Sequence, residues 1–178
     1  MDESRIGEVR GVLPHQEVES ALQDILDDKL TEFGSEAEDY QKKGADMKRV
    51  TSLTQKVESG EDFTKEDLRF LYEFDSKIEG FGYQKDPRIT ELLAGRNIKA
   101  DVSLVTGYPE EAISTTQEEA LSGGILFHYG GLSLESLTSA EGLTLPQTVG
   151  RDLYLSSLTS AEKLKLIERY PQFRDKIN

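Results

Sequence analysis

The chain of 178 residues contains no cysteine and only two histidines. The first absence removes disulfides, thiolate nucleophiles and cysteine-based metal sites, and fits a reducing compartment. The second leaves few groups that titrate near neutral pH, so the pool for acid–base chemistry is small. No apolar run approaches the roughly twenty residues that a membrane helix needs. The opening MDESRIGEVRGVLPHQEVES lacks the basic and then apolar regions of a secretory signal, so a cytoplasmic chain with no membrane partner is expected. Positive charge is also scarce: 21 basic side chains stand against 34 acidic ones, a formal net charge of -13. Such a balance repels phosphate backbones and argues against direct nucleic-acid binding. Eleven of the acidic and six of the basic side chains fall in residues 101–178, so neither half is an acidic tail.

What the chain does have is length enough for one sizeable core or two small ones, and two kinds of apolar spacing. After a flexible N-terminus over residues 1–13, the spacing is helical from Pro14 to about Asn97. Val18, Leu22, Ile25, Leu26, Leu30 and Phe33 recur at threes and fours before Gly34. A second stripe carries Ala37, Tyr40, Met47, Val50, Leu53 and Val57, and closes near Gly60. Thr64 with Asp67 predicts a capped helix start, with Leu68, Leu71, Tyr72 and Ile78 on one face and Gly80 as its stop. Asp86 followed by Pro87 predicts one more short helix to Leu93. From residue 100 the period changes: ADVSLV alternates, and GGILFHYGG is a short apolar run fenced by glycines, so both read as strands.

The segment from Leu132 to Leu166 then repeats itself at an offset of 21, placing Leu132, Leu134, Leu137, Glu141, Leu143 and Leu145 over Leu153, Leu155, Leu158, Glu162, Leu164 and Leu166. Each copy pairs a Leu-x-Leu alternation with a Thr-x-x-Glu capping box, at Thr138 and at Thr159. A fainter copy opens at Thr116 with Glu119. One such unit cannot bury its own leucines, whereas stacked units can. In the last copy Lys163 and Ile167 replace Gly142 and Pro146, so a helix is expected to run on to Pro171 and close the array.

At these residues, roughly 110–170, the chain resembles the short bacterial leucine-rich-repeat family, with Leu137 and Leu158 standing where the family pattern has Asn. The resemblance implies a scaffold that binds proteins or peptides through its strand face, built as a curved horseshoe or as a straighter solenoid. The stretch TKEDLRFLYEFDSKIEGFGYQKDPRI also resembles segments of uncharacterised bacterial and phage proteins. The expected fold class is therefore α+β: a helical domain over residues 14–99, then a leucine-rich β-solenoid of about three turns with a helical cap over residues 100–178.

For chemistry, His15 reads as a turn residue and His128 as a strand-surface residue. Asp24 and Asp28 share one helix face, as helix-surface carboxylates routinely do. Glu110, Glu111, Glu118 and Glu119 read as solvated, and the glycine clusters lack the Lys-Ser/Thr of a phosphate loop. No cofactor or metal is expected. Two surfaces remain as partner-binding candidates: the outward strand positions Ser133, Glu135, Tyr154 and Ser156, and the aromatic and cationic loop of Phe81, Tyr83, Lys85 and Arg88. The expected function is non-catalytic binding of another protein or peptide. Its rivals are an acidic inhibitor that mimics nucleic acid, as in phage anti-defence proteins, and an unrecognised enzyme.

Overall fold

The computed structural model describes residues 35–82 and 84–177. The chain divides into two compact units, Met1–Ala45 and Asp46–Asn178. The helix expected between Pro14 and Phe33, the flexible start, His15, Asp24, Asp28 and Tyr83 lie outside the described residues.

Helix α1, Ser35–Glu58, runs through Gly44 and has Glu36 and Glu38 in its first turn and Lys56 in its last, each complementing the helix dipole. In the second unit its buried stripe is Val50 and Leu53 with Met47 beside them, while Val57 is exposed. It ends on Gly60 at φ 75°, where Gly60 N–H donates to the Val57 carbonyl and Glu61 N–H to that of Lys56. That reciprocal pair of bonds is the helix stop that favours a left-handed residue.

Thr64 and Asp67 form the capping box that opens α2, Lys65–Leu71, and Asp67 also accepts from Lys56 at 2.6 Å. This helix stops well before Gly80. Glu73 N–H donates to Phe70 and Phe74 N–H to Arg69, the same reciprocal ending as in α1, with Glu73 at φ 55° in the place usually taken by glycine. Helix α3, Pro87–Leu93, opens at the Asp86 cap with Pro87 in its first turn and buries Ile89 and Leu92.

The stretch read as the strand ADVSLV is instead helix α4, Ile98–Thr106, capped by the Asn97 side chain and closed by Gly107 at φ 82°. Asp101, Val102 and Val105 turn inward and Leu104 outward, so the apparent alternation is one helical face. Helix α4 packs on α2. There Tyr72 Oη donates to Asp101 at 2.7 Å, and Arg96 grips the same carboxylate through two bonds of 2.6 and 2.7 Å.

Past a short 3-10 turn at Glu110–Ala112 come β1 (Ile113–Ser114), helix α5 (Gln117–Leu121), β2 (Phe127–His128), β3 (Leu132–Ser133), β4 (Thr148–Val149), β5 (Leu153–Tyr154), helix α6 (Ser160–Arg169) and a 3-10 turn at Pro171–Phe173. Strands β1, β2 and β4 form one parallel sheet in that order, and β3 pairs with β5 in another. Leu132 lies opposite Leu153, the offset of the sequence repeat. Leu132, Leu134, Leu153 and Leu155 are buried with Leu143, Leu145, Leu158, Leu166 and Phe173 in one cluster. Each such side chain contributes about 1.5–3 kcal/mol by leaving water.

This arrangement corrects the expected solenoid. Among the described residues the fold is mixed α/β, with six α-helices and two small sheets of two-residue strands; no closed or solenoid sheet is present, and a leucine-rich-repeat scaffold is not supported. The three Thr-x-x-Glu segments do not form one repeated unit. Thr116 caps the five-residue α5, Thr159 opens the ten-residue α6 with a full capping box, and the segment at Thr138 passes through turns with no helix. Gly142 at φ 73° and the following Pro146 break the middle copy where Lys163 and Ile167 let the last continue.

Burial opposes ionisation of Asp101, but Arg96 and Tyr72 outweigh it and hold its pKa below the ordinary carboxylate value. The ionised bond therefore stabilises the fold above about pH 4 and is lost as pH falls through the depressed native pKa. Asp101→Ala, which strands Arg96 and Tyr72, is expected to cost about 3 kcal/mol, and Tyr72→Phe about 1 kcal/mol. Urea unfolding at pH 7 and pH 3 checks both: the Asp101 deficit shrinks at the lower pH, and an unchanged deficit would contradict this assignment.

Candidate functional site

The alternation of β3 and β5 decides what their outer face offers. Leucines 132, 134, 153 and 155 point into the core, so Ser133, Glu135, Tyr154 and Ser156 are all exposed, with Ser133 opposite Tyr154 across the ladder. Tyr154 is 40 % exposed. Its ring lies against Gly131, where an added Cβ would come within 3.4 Å of it, and its hydroxyl donates to Asp152 at 3.4 Å. Leu134 N–H donates to the Tyr154 carbonyl, and the Ser157 hydroxyl donates to the Glu135 carbonyl. The aromatic side chain thus stands on a strand pair fixed from below.

The second expected surface is divided. Phe81 is 62 % exposed. Arg88 is occupied by its own helix cap, with Nε and Nη2 on the two oxygens of Asp86 at 3.0 and 2.8 Å and Nη1 on Thr51 at 2.9 Å. Lys85 turns elsewhere, to Glu73 at 3.0 Å.

Glu73 and its surroundings went unread in the sequence. Its carboxylate, 7 % exposed, accepts from Ile78 N–H at 3.0 Å through Oε1 and meets both Lys85 and Arg151 at Oε2. Burial raises its pKa, but the Ile78 bond and the two cations prevail and hold it below the ordinary value. A left-handed conformation costs a residue with a side chain roughly 1–2 kcal/mol. Here the carboxylate is kept despite that cost.

Beside it Tyr72, Phe74, Phe127 and Tyr129 line a shallow crevice with room for little more than a water molecule. Phe74 stacks on Phe127 with centroids 5.8 Å apart, and Tyr72 meets Tyr129 edge-on at 5.3 Å. Gly150 also lines the crevice, and a Cβ there would stand 3.2 Å from Gly130 N and 3.3 Å from the His128 carbonyl, so the backbones approach closely. The close approach delivers Arg151, whose N–H donates to the Gly130 carbonyl, to the rim. A partner 78 positions away leaves no local signal in the sequence.

His128 is not on the strand surface, as its alternation suggested. It is 3 % exposed in the middle strand of the three-stranded sheet, with Nδ1 2.9 Å from the hydroxyl of Ser114, itself fully buried. The parallel register puts the two opposite each other. Burial lowers the His128 pKa, against opposing effects of the Gly131 backbone and the Glu119 charge. Nucleophilic catalysis needs a serine that substrate can reach; here the pair satisfies two buried polar groups.

The other carboxylates are dispersed. Glu110, Glu111 and Glu118 are exposed, and Glu119 is held at about 2 by its bond to Lys99 and by Thr115 N–H. Among the described residues no three His, Asp or Glu side chains converge as a metal would require, and no helix is long and apolar enough to cross a membrane.

Comparison with protein-family models, with curated proteins and with solved structures finds no match to this chain.

A buried histidine with a lowered pKa makes the unfolded chain take up a proton first, so stability falls as pH drops from about 7 towards the depressed native value. His128→Gln is expected to flatten the dependence of the urea midpoint between pH 7 and 5, while Ser114→Ala, which keeps the imidazole, retains it. Parallel slopes for wild type and His128→Gln would rule this out.

Proposed function

We propose that the chain is a non-catalytic protein-binding module whose contact surface is the outer face of β3 and β5. The observation that carries this reading is the placement of Tyr154. A large aromatic side chain stands partly exposed over a leucine-packed strand pair, with Ser133, Glu135 and Ser156 exposed on the same two segments. Tyrosine is favoured at interface hot spots because it offers large contact area and a polar tip at small entropic cost. Strands held at both ends by the core limit the ordering that binding requires. The partner is another protein or peptide, and the reading needs no cofactor. The lack of cysteine supports a cytoplasmic setting.

The test is capture from a nuclease-treated lysate on the immobilised chain across a salt series. A partner that persists at high salt and is lost, by tenfold or more in retained amount, with Tyr154→Ala or Glu135→Ala is the expected result. Retention unchanged in both variants would move the site elsewhere. Capture dominated by nucleic-acid-binding proteins that leave steeply with salt would replace this reading with charge mimicry, the net charge of -13 being the active feature.

A further inference from the structure

Three charged groups meet at one point on the rim of the aromatic crevice, and their charges do not cancel. Lys85 and Arg151 both approach Oε2 of Glu73, while Oε1 is taken by Ile78 N–H. The cluster therefore holds two positive charges against one negative in a chain whose net charge is -13. The Lys85 and Arg151 side chains are 45 % and 42 % exposed, whereas Glu73 is almost covered. Solvent thus meets the cations, with the carboxylate behind them.

Both have donors to spare. A guanidinium carries five N–H groups and an ammonium three. Among the described residues Glu73 is the ion-pair partner of each. Glu73 also fixes them in place, which lowers the entropy lost when a second anion arrives. A lone carboxylate between two cations would otherwise be met by a simple exchange of surface partners worth little. Here the carboxylate is anchored by a backbone bond and by a strained left-handed turn, so the pair is held and one positive charge is left over.

The position joins this cluster to the proposed contact face. A Cβ on Gly131 would lie 3.4 Å from the Tyr154 ring and 4.0 Å from Cβ of Arg151, so the tyrosine and the arginine flank the same glycine. On the other side Arg151 borders the crevice lined by Phe74, Phe127 and Tyr129. A partner segment lying over Tyr154 passes within side-chain reach of the cations and of the aromatic walls.

We propose that Lys85 and Arg151, held by Glu73, form a carboxylate receptor that takes an acidic side chain of the protein partner, with a neighbouring apolar side chain resting on the half-buried rings of Phe74 and Tyr129 beside it. The proposal rests on the protein-binding reading above and adds the chemistry of the partner: an acidic residue next to an aromatic or aliphatic one. Two N–H donors to a carboxylate make charge-assisted bonds, and Arg offers them in a planar fork.

The probe is the blocked dipeptide acetyl-Phe-Glu-amide against acetyl-Phe-Gln-amide, titrated into the full chain and followed by amide proton–nitrogen NMR at physiological salt. The Glu dipeptide is expected to shift the amides of Gly130, Gly131 and Arg151 saturably and at least tenfold more tightly than the Gln dipeptide. Arg151→Ala and Lys85→Ala should each bring it to the Gln level. Both variants replace exposed side chains and leave Glu73 one cation and its Ile78 bond, so unchanged spectra elsewhere report an intact fold. Equal binding of the two dipeptides, shifts confined to other regions, or full binding in both variants would overturn the proposal. So would acetate alone matching the Glu dipeptide, since the cations would then recognise a small free acid. The dipeptide titration needs no protein partner, so failure of capture and failure of dipeptide binding are read separately.

Discussion

Glu73 occupies a backbone position where a helix end ordinarily places glycine, and much of the second unit's arrangement depends on its carboxylate being there. The residue closes α2, receives Lys85 from the stretch before α3, accepts Ile78 N–H from the intervening loop and binds Arg151 from the turn between β4 and β5. Three nearby stretches of chain and one turn 78 positions away are thereby referred to one side chain. Glycine would relieve the left-handed strain and lose all three contacts. A conformational cost of about 1–2 kcal/mol is smaller than leaving two cations and a buried amide without a partner.

The aromatic residues extend the same junction into the core. Phe74 follows Glu73 and stacks on Phe127 of β2, and Tyr72 precedes it and meets Tyr129. Tyr72 also donates to Asp101 on α4, where Arg96 completes the carboxylate's bonding. One short stretch, Tyr72 to Phe74, thus connects α4, β2 and the turn carrying Arg151. Arg151 touches Glu73 on one side and neighbours Gly131 and Tyr154 on the other, so the proposed carboxylate receptor and the contact face meet at this arginine.

Local features of the fold are legible in the sequence, and distant contacts are not. The Thr64 and Asp86 caps, Pro87 in the first turn of α3, the helix after Thr159 and the exposure of Ser133, Glu135, Tyr154 and Ser156 follow from hydrogen-bond needs within a few residues or from the two-residue alternation of a strand. The strand expected at ADVSLV was a helix because valines at short spacing fit either period, and the Asn97 and Gly107 caps decide between them. The repeat misled for a related reason. Copies of a sequence pair their leucines at the repeat offset, yet Gly142 and Pro146 give the middle copy a different backbone, and strands of two residues do not make a solenoid.

What the sequence determined by itself was therefore short in range: caps, stops, the leucine alternation, the acidic charge and the exclusion of thiol chemistry. These depend on groups that are neighbours along the chain or on simple counts. Tertiary structure alone decided that Ser114 satisfies His128 across a parallel register, that Arg88 stays with its own cap while Lys85 reaches Glu73, and that Arg151 arrives from 78 positions away. Each of those is a contact between groups whose meeting costs loop-closure entropy and is repaid only when the whole core assembles, so no local pattern encodes it.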